Sequence, residues 1–222
     1  MSFGRNLQYL RQLTRNMTQE TLAEKLNVSR QTISKWELDA AKPEIEKALE
    51  LCKIFNCSLD NLFRYQMDQR SSAYSNLRVE KVPAFRYVEH TVISSCPEED
   101  ALGRMFKIAE MNHIENPKVI GWDFPHLSLE QINVFRMHGY TAALILPDGI
   151  KPDGMEIKNQ PASQYAAIHI DRPFDNPFVT IPGAYHTLDD YLRTNGLIHV
   201  EDGVIPYFET DGENMDVYIA CK

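Results

Sequence analysis

The sequence predicts a chain in two parts: an all-α head of five helices over residues 1–65 and an α+β body over residues 77–222. Apolar residues recur at three- and four-residue spacing as far as residue 63, then give way after residue 77 to runs that alternate apolar with polar. The charge divides at the same place. Residues 1–66 hold 10 Lys/Arg against 8 Asp/Glu (net +2), whereas residues 67–222 hold 13 against 23 (net −10). A length of 222 residues is ample for two cores.

The head divides into five short patterns. Phe3, Leu7, Leu10 and Leu13 form the stripe of a first helix. Thr18 is placed to cap a second, whose inner side is Leu22, Ala23 and Leu26. Asn27 tolerates the left-handed backbone of a tight turn, Val28 plugs the core, and Ser29 caps a third helix running to about Leu38. Pro43 opens a fourth, with Ile45, Ala48, Leu49, Cys52 and Phe55 expected inward, and Ser58 caps a last one carrying Leu59, Leu62 and Phe63.

The third helix carries the chemistry. Ile33 and Trp36 fall on its inner face, while Arg30, Gln31, Ser34 and Lys35 fall on the outer face near its start. Arg and Gln are the side chains whose paired donors and acceptors match guanine and adenine edges in the major groove. A cationic helix face is more often merely solvated, so the surrounding motif has to decide. That motif, MTQETLAEKLNVSRQTISKWE, resembles the signature of the lambda-repressor-like (XRE family) helix-turn-helix domains, and the likeness extends over about residues 3–64. The resemblance implies binding to a double-stranded DNA operator. By it, Gln19 would hold a phosphate and brace the recognition helix, Ser29, Arg30, Gln31 and Lys35 would contact bases, and Thr32 would contact the backbone. Family members often have Gly where this chain has Asn27 and Asp39, the next most tolerant residues for such turns.

Residues 66–76 (QMDQRSSAYSN) are polar and without apolar period, and are expected to form a linker, the alternative being a helix prolonged from Leu62 towards Gln69. Beyond them, strands are expected at residues 78–83, 85–94, 118–124, 134–146, 165–171, 207–210 and 215–221, with helices at 98–111 and about 181–194. The first of those helices would bury Leu102, Met105, Phe106 and Ala109. The order reads as a duplication: two strand-helix-strand-strand halves of about 70 residues forming one antiparallel sheet, with helices on one side and a central ligand groove.

The stretch IPGAYHTLDDYLRTNGL, followed by IPYFETD and a closing MDVYIACK, resembles the end of the AraC-type effector-binding (GyrI-like) domains, and the likeness covers about residues 77–222. It implies two pseudo-symmetric halves around a pocket for a small organic, cationic or amphiphilic effector, with Glu209 as the pocket carboxylate. The chain end departs from the family's proline-containing close. Residue chemistry agrees with a role for Glu209, since a carboxylate between Tyr207 and Phe208 can be left partly desolvated and then seeks a cation. Aromatic walls from Tyr207, Phe208 and Trp122 would add cation–π attraction. The plain alternatives are a solvent-facing strand position for Glu209 and core packing for Trp122, Phe124 and Tyr140.

Other chemistries find little footing. The four cysteines show no CxxC spacing, the seven histidines form no i, i+4 pair with each other, and HExxH, GxSxG, P-loop and GxGxxG motifs are absent. No metal, cofactor or catalytic residue is expected. No apolar run reaches the ~20 residues of a membrane span, and the opening residues lack the apolar core of a signal peptide, so a cytoplasmic protein without membrane partners is expected. The reading is therefore a ligand-responsive transcription regulator, dimeric on its operator. Two alternatives stay open. The body could be a hydrolase using Glu209 with Tyr218 or Tyr165, or a module that binds another protein.

Overall fold

Three helices of the head begin where a hydroxyl caps them. Thr18 accepts the Thr21 N–H at 3.1 Å ahead of α2 (Gln19–Leu26), and Ser29 accepts that of Thr32 at 3.1 Å ahead of α3 (Arg30–Glu37). Ser58 and Asn61 close a reciprocal capping box at α5 (Leu59–Phe63). Asn27 (φ 53°) and Asp39 (φ 56°) both take the left-handed backbone, so the two positions at which the resembled family favours Gly keep its geometry.

The computed structural model describes residues 3–14, 17–64 and 73–222. They divide into two compact units: Met1–Ser72 with Pro182–Ile198, and Ala73–Ile181 with His199–Lys222. Most of the expected linker, residues 66–72, lies outside the described residues; Tyr74 to Asn76 already belong to a strand.

In the first unit, α1 (Phe3–Leu13) buries Phe3, Leu7, Leu10 and Leu13 as expected. One expectation fails at α4 (Ile45–Ile54). Ile45 and Leu49 are exposed, and the inner stripe is Ala48, Leu51 and Phe55, because the helix starts two residues after Pro43 and is rotated accordingly. A buried ion pair ties three helices together. Arg11 Nε donates to Glu37 Oε1 at 2.6 Å and Gln19 Nε2 donates to Glu37 Oε2 at 2.8 Å, with the Glu37 side chain only 4% exposed. Arg11 also reaches the Met17 carbonyl at 2.6 Å, so the buried guanidinium has partners on more than one side. Three side-chain to main-chain or side-chain bonds join the distant helical segment to this unit: Tyr9 to Asp190, Asn56 to the Arg193 carbonyl, and Asn195 to the Leu13 carbonyl.

The second unit is an eight-stranded, wholly antiparallel sheet in the order β1-β6-β8-β7-β3-β4-β2-β5. The strands are β1 (Tyr74–Val82), β2 (Phe85–Ser94), β3 (Lys118–Asp123), β4 (His138–Leu146), β5 (Lys158–Gln160), β6 (Ser163–Asp171), β7 (Tyr207–Thr210) and β8 (Asn214–Ala220). The duplication is explicit: β2, α6 (Pro97–Met111), β3, β4 and β6, α8 (Pro177–Thr194), β7, β8 each arrange their strands as outer, inner and middle, and the inner strands β3 and β7 pair with each other. That join consists of two residue pairs, Ile120 with Thr210 and Gly121 with Glu209.

Helix α6 (Pro97–Met111) covers one face, packing Ala101, Met105 and Ala109 against Val88, Val119, Tyr140, Ala142 and Leu144. Leu102 and Phe106 were expected inward; Phe106 is exposed instead, since the inner stripe runs through Ala101. The opposite face holds Tyr87, Ile120, Ala143, Tyr165, Phe208 and Tyr218. Three elements are additional to the sequence reading: β5, a 3-10 turn at Pro173–Asp175, and α7 (Leu129–Asn133), which opens on a Ser128–Gln131 capping box. Helix α8 (Pro177–Thr194) starts about four residues earlier than its apolar period suggests, with Pro177 in its first turn and Pro182 inside it. Among the described residues no helix is long and apolar enough to cross a membrane.

Removing one member of the Arg11–Glu37 pair strands the other in a dry interior. Glu37→Ala should cost about 3–5 kcal/mol of head stability, read from urea denaturation followed by Trp36 fluorescence in a Trp122→Phe background. A cost near zero would show that water reaches Arg11.

Candidate functional site

Helix α3 presents Arg30, Gln31 and Lys35 to solvent, with Ile33 and Trp36 buried behind them. Ser29 is occupied as the cap, and its hydroxyl lies 2.9 Å from that of Thr32, so these two shape the helix start from which Arg30 and Gln31 project. Gln19 holds the other end of α3 through Glu37. Of the six residues singled out in the head, Ser29, Arg30, Gln31 and Lys35 are exposed, Thr32 and Gln19 are half-buried, and Gln19 is tied to the core through Glu37.

The body holds a cavity of about 630 Å³ beside the first turn of α6, walled by Cys96, Glu98, Leu102, Asp123, Tyr140 and Phe178. Strand alternation places Tyr140 and Asp123 on its floor: they face each other across β4 and β3 and lie on the α6 side of the sheet. Glu209 rises from the same side, because it pairs directly with Gly121, two residues before Asp123. A side chain at Gly121 would collide with the Tyr140 ring and hydroxyl that lean across it, so Tyr140 would have to move.

Glu209 is 7% exposed, and its Oε2 is buried with no hydrogen-bond partner. Burial, with the nearby carboxylates of Glu98 and Asp123, pushes it up to about 8. Glu98 is raised by burial and by Asp123 and Asp211; Asp211 is raised by its own burial. Asp123 is raised by burial, offset by His138. Tyr140 is pushed far up by burial and by all four carboxylates. Glu209 and Tyr140 are buried here, whereas Glu98, Asp123 and Asp211 remain exposed to solvent. Chemically the group of carboxylates favours a proton or a cation.

The four residues expected to line a pocket are not brought together. Tyr207 and Glu209 share the cavity side of the sheet, whereas Phe208 and Trp122 point to the other, where Phe208 stacks on Tyr218 with ring centres 4.5 Å apart. Adjacent strand residues must diverge in this way. The same alternation separates Glu209 from Tyr165 and Tyr218, the tyrosines considered for catalysis; Tyr165 spends its hydroxyl on the Ile205 carbonyl at 2.7 Å. The tyrosine beside Glu209 is Tyr140. Sequence reasoning missed Glu98, Asp123 and Phe178: the β3–β4 register sets Asp123 beside Tyr140, while Glu98 and Phe178 come from the first turns of α6 and α8. Among the described residues no group of three His, Cys, Asp or Glu could hold a metal ion.

Glu209 also makes stability depend on pH. Its folded value, about 8, lies above the ordinary 4.5, so the folded chain keeps a proton that the unfolded chain has released. The stabilisation is complete below about pH 4.5 and is lost as pH rises through about 8. Glu209→Gln should flatten the decline in melting temperature over that window, measured by thermal melts in matched buffers. An unchanged slope would assign the decline elsewhere.

A family model described as helix-turn-helix matches residues 7–62. The chain is 45% identical over 62 residues to the HTH-type transcriptional activator BcrR of Enterococcus faecalis, a match to 28% of this chain and 30% of that protein. It is 41% identical over 63 residues to an uncharacterized HTH-type transcriptional regulator of Methanocaldococcus jannaschii, 28% of this chain and 94% of that one. Among solved structures, EcmrR in complex with DNA aligns over 93% of this chain and 85% of its own at 12% identity and a TM-score of 0.47. An uncharacterized conserved protein from Listeria innocua aligns over 65% and 92% at 12% identity and a TM-score of 0.45. By its N-terminal segment, with its capped α3 and braced core, the chain belongs to the helix-turn-helix (XRE-type) family of DNA-binding regulators.

Proposed function

We propose that this chain is a cytoplasmic, sequence-specific transcription regulator that binds an operator through α3 and a small organic cation through the cavity of its body. The observation that carries the reading is the exposed start of α3, where Arg30, Gln31 and Lys35 project from a capped helix within a family segment. Arg30 and Gln31 read base edges, Ser29 and Lys35 flank them, Thr32 meets the backbone, and Gln19 braces the helix while reaching a phosphate. One such head covers little DNA, so the working form is a homodimer on a pseudo-palindromic site.

The buried, unpartnered Glu209 oxygen supports the ligand half of the reading, because a desolvated carboxylate without a donor is costly unless a ligand satisfies it. Phe174 and Phe178 at the cavity supply aromatic faces for a cation. Binding there alters operator affinity to the extent that the ligand prefers one of two states of the chain. The body acts in this reading as a receptor rather than a catalyst, in keeping with Tyr165 and Tyr218 lying across the sheet from Glu209.

Arg30→Ala should cost about 1–3 kcal/mol of operator binding and relax sequence preference at one position. Fluorescence anisotropy on operator and random duplexes at fixed salt measures both. Equal loss on the two duplexes would limit Arg30 to the backbone, and no loss on either would sink the assignment of α3.

A further inference from the structure

Helix α4 ends in a left-handed turn that sets two cysteines against each other. Asn56 takes φ 46°, and the Cys57 N–H donates to the Cys52 carbonyl at 3.0 Å, the bond that closes a Schellman C-cap. That motif ordinarily folds an apolar side chain after the turn back onto one in the last turn of the helix. Cysteines hold both positions here. Each is half-buried and free, and the two thiols share a hydrogen bond. Burial raises both, Cys57 up to about 12; the shared bond then separates them, lowering Cys52 and raising Cys57, which marks Cys57 as its donor. Cys96 and Cys221 lie in the other unit, one exposed before α6 and one buried after β8. We propose that Cys52 and Cys57 are a redox-active pair that takes low-molecular-weight disulfides as its oxidant and closes to a reversible disulfide across the α4–α5 turn.

The exchange runs in two steps. Cys52, as thiolate, attacks one sulfur of a disulfide RSSR and expels the first thiolate, leaving a mixed disulfide on Cys52. Cys57 then gives up its proton, attacks the Cys52 sulfur and expels the second thiolate. The expelled thiolates take up the protons that the cysteines release, so RSSR is reduced to two thiols as Cys52 and Cys57 are oxidised to one disulfide. The order follows from the hydrogen bond, because the thiol that accepts it is the easier to ionise and its donor already stands at its sulfur. The new bond closes around Asn56, whose side-chain amide donates to the Arg193 carbonyl at 3.1 Å, and Cys57 itself feels the charges of Arg193 and Asp190. Oxidation therefore restricts the turn by which the head holds residues 182–198.

The test incubates the full chain with glutathione disulfide and maps its thiols by alkylation and non-reducing peptide mass spectrometry. The wild type should lose the Cys52 and Cys57 thiols together and yield one cross-linked Cys52–Cys57 peptide, with both thiols restored by dithiothreitol. Cys57→Ser should stop at a mixed disulfide on Cys52, whereas Cys52→Ser should leave Cys57 unmodified under the same conditions. Cys57→Ala and Cys52→Ala give the same readouts should a half-buried serine hydroxyl unfold the head. Amide exchange of residues 190–196 should slow in the oxidised chain. Mixed disulfides accumulating on both cysteines of the wild type, or reaction of either one only after unfolding in urea, would overturn the pairing. Equal rates of mixed-disulfide formation in the two single variants would overturn the order of attack, and unchanged exchange at residues 190–196 would overturn the link to the distant segment.

Discussion

The two halves of the body's sheet meet at two residue pairs, and most of what is distinctive in this protein depends on that short seam. Pairing Gly121 with Glu209 fixes which side of the sheet every residue of β3 and β7 faces. It sets Glu209 on the α6 side with Asp123 and Tyr140, and commits Phe208 and Ile120 to the opposite core. A shift of one residue would exchange these roles, burying an aromatic ring under α6 and placing a carboxylate among Tyr165 and Tyr218. The absence of a side chain at Gly121 lets Tyr140 lean over the seam where Gly121 pairs with Glu209.

The chain holds two deeply buried glutamates, and their surroundings give them opposite roles. Glu37 receives bonds from Arg11 and Gln19 and acts as a fastener: its charge is neutralised, its oxygens are occupied, and it has nothing left to offer a ligand. Glu209 is surrounded by other acids, keeps an oxygen without a donor, and has its proton affinity raised. Burial alone does not mark a functional acid; unbalanced burial does.

Legibility from the sequence followed the range of the interactions involved. The head was readable almost to the residue because its signals are local: a Ser or Thr capping three of its helices, Asn27 and Asp39 at left-handed turns, and apolar stripes along single helices. Its one failure, at α4, came from a frame set by Pro43 when the helix begins at Ile45. In the body, the order of strands and helices and their duplication were readable, and Glu209 was identified as the carboxylate of interest. Its neighbours were not. Phe208 and Trp122 are near it in sequence or character but face the other way, whereas Glu98 and Asp123 reach it only through strand pairing and the docking of α6, and no short-range pattern encodes either. The start of α8 was obscured by Pro182, which ordinarily signals a helix boundary and here sits inside one.

Residues 182–198 group with the head although more than a hundred residues separate them from it along the chain. The Methanocaldococcus relative, matched over 94% of its length by 63 residues, has a head of this kind with almost nothing attached. In the present chain the same scaffold carries a remote segment, anchored at Tyr9, Asn56 and the Leu13 carbonyl. A head of this family exchanged into this protein as a contiguous cassette would therefore lose these anchors unless it carried them. A transplant spanning residues 1–72 would import a surface that never evolved to meet α8, and Tyr9 and Asn56 are the grafting points it would have to carry.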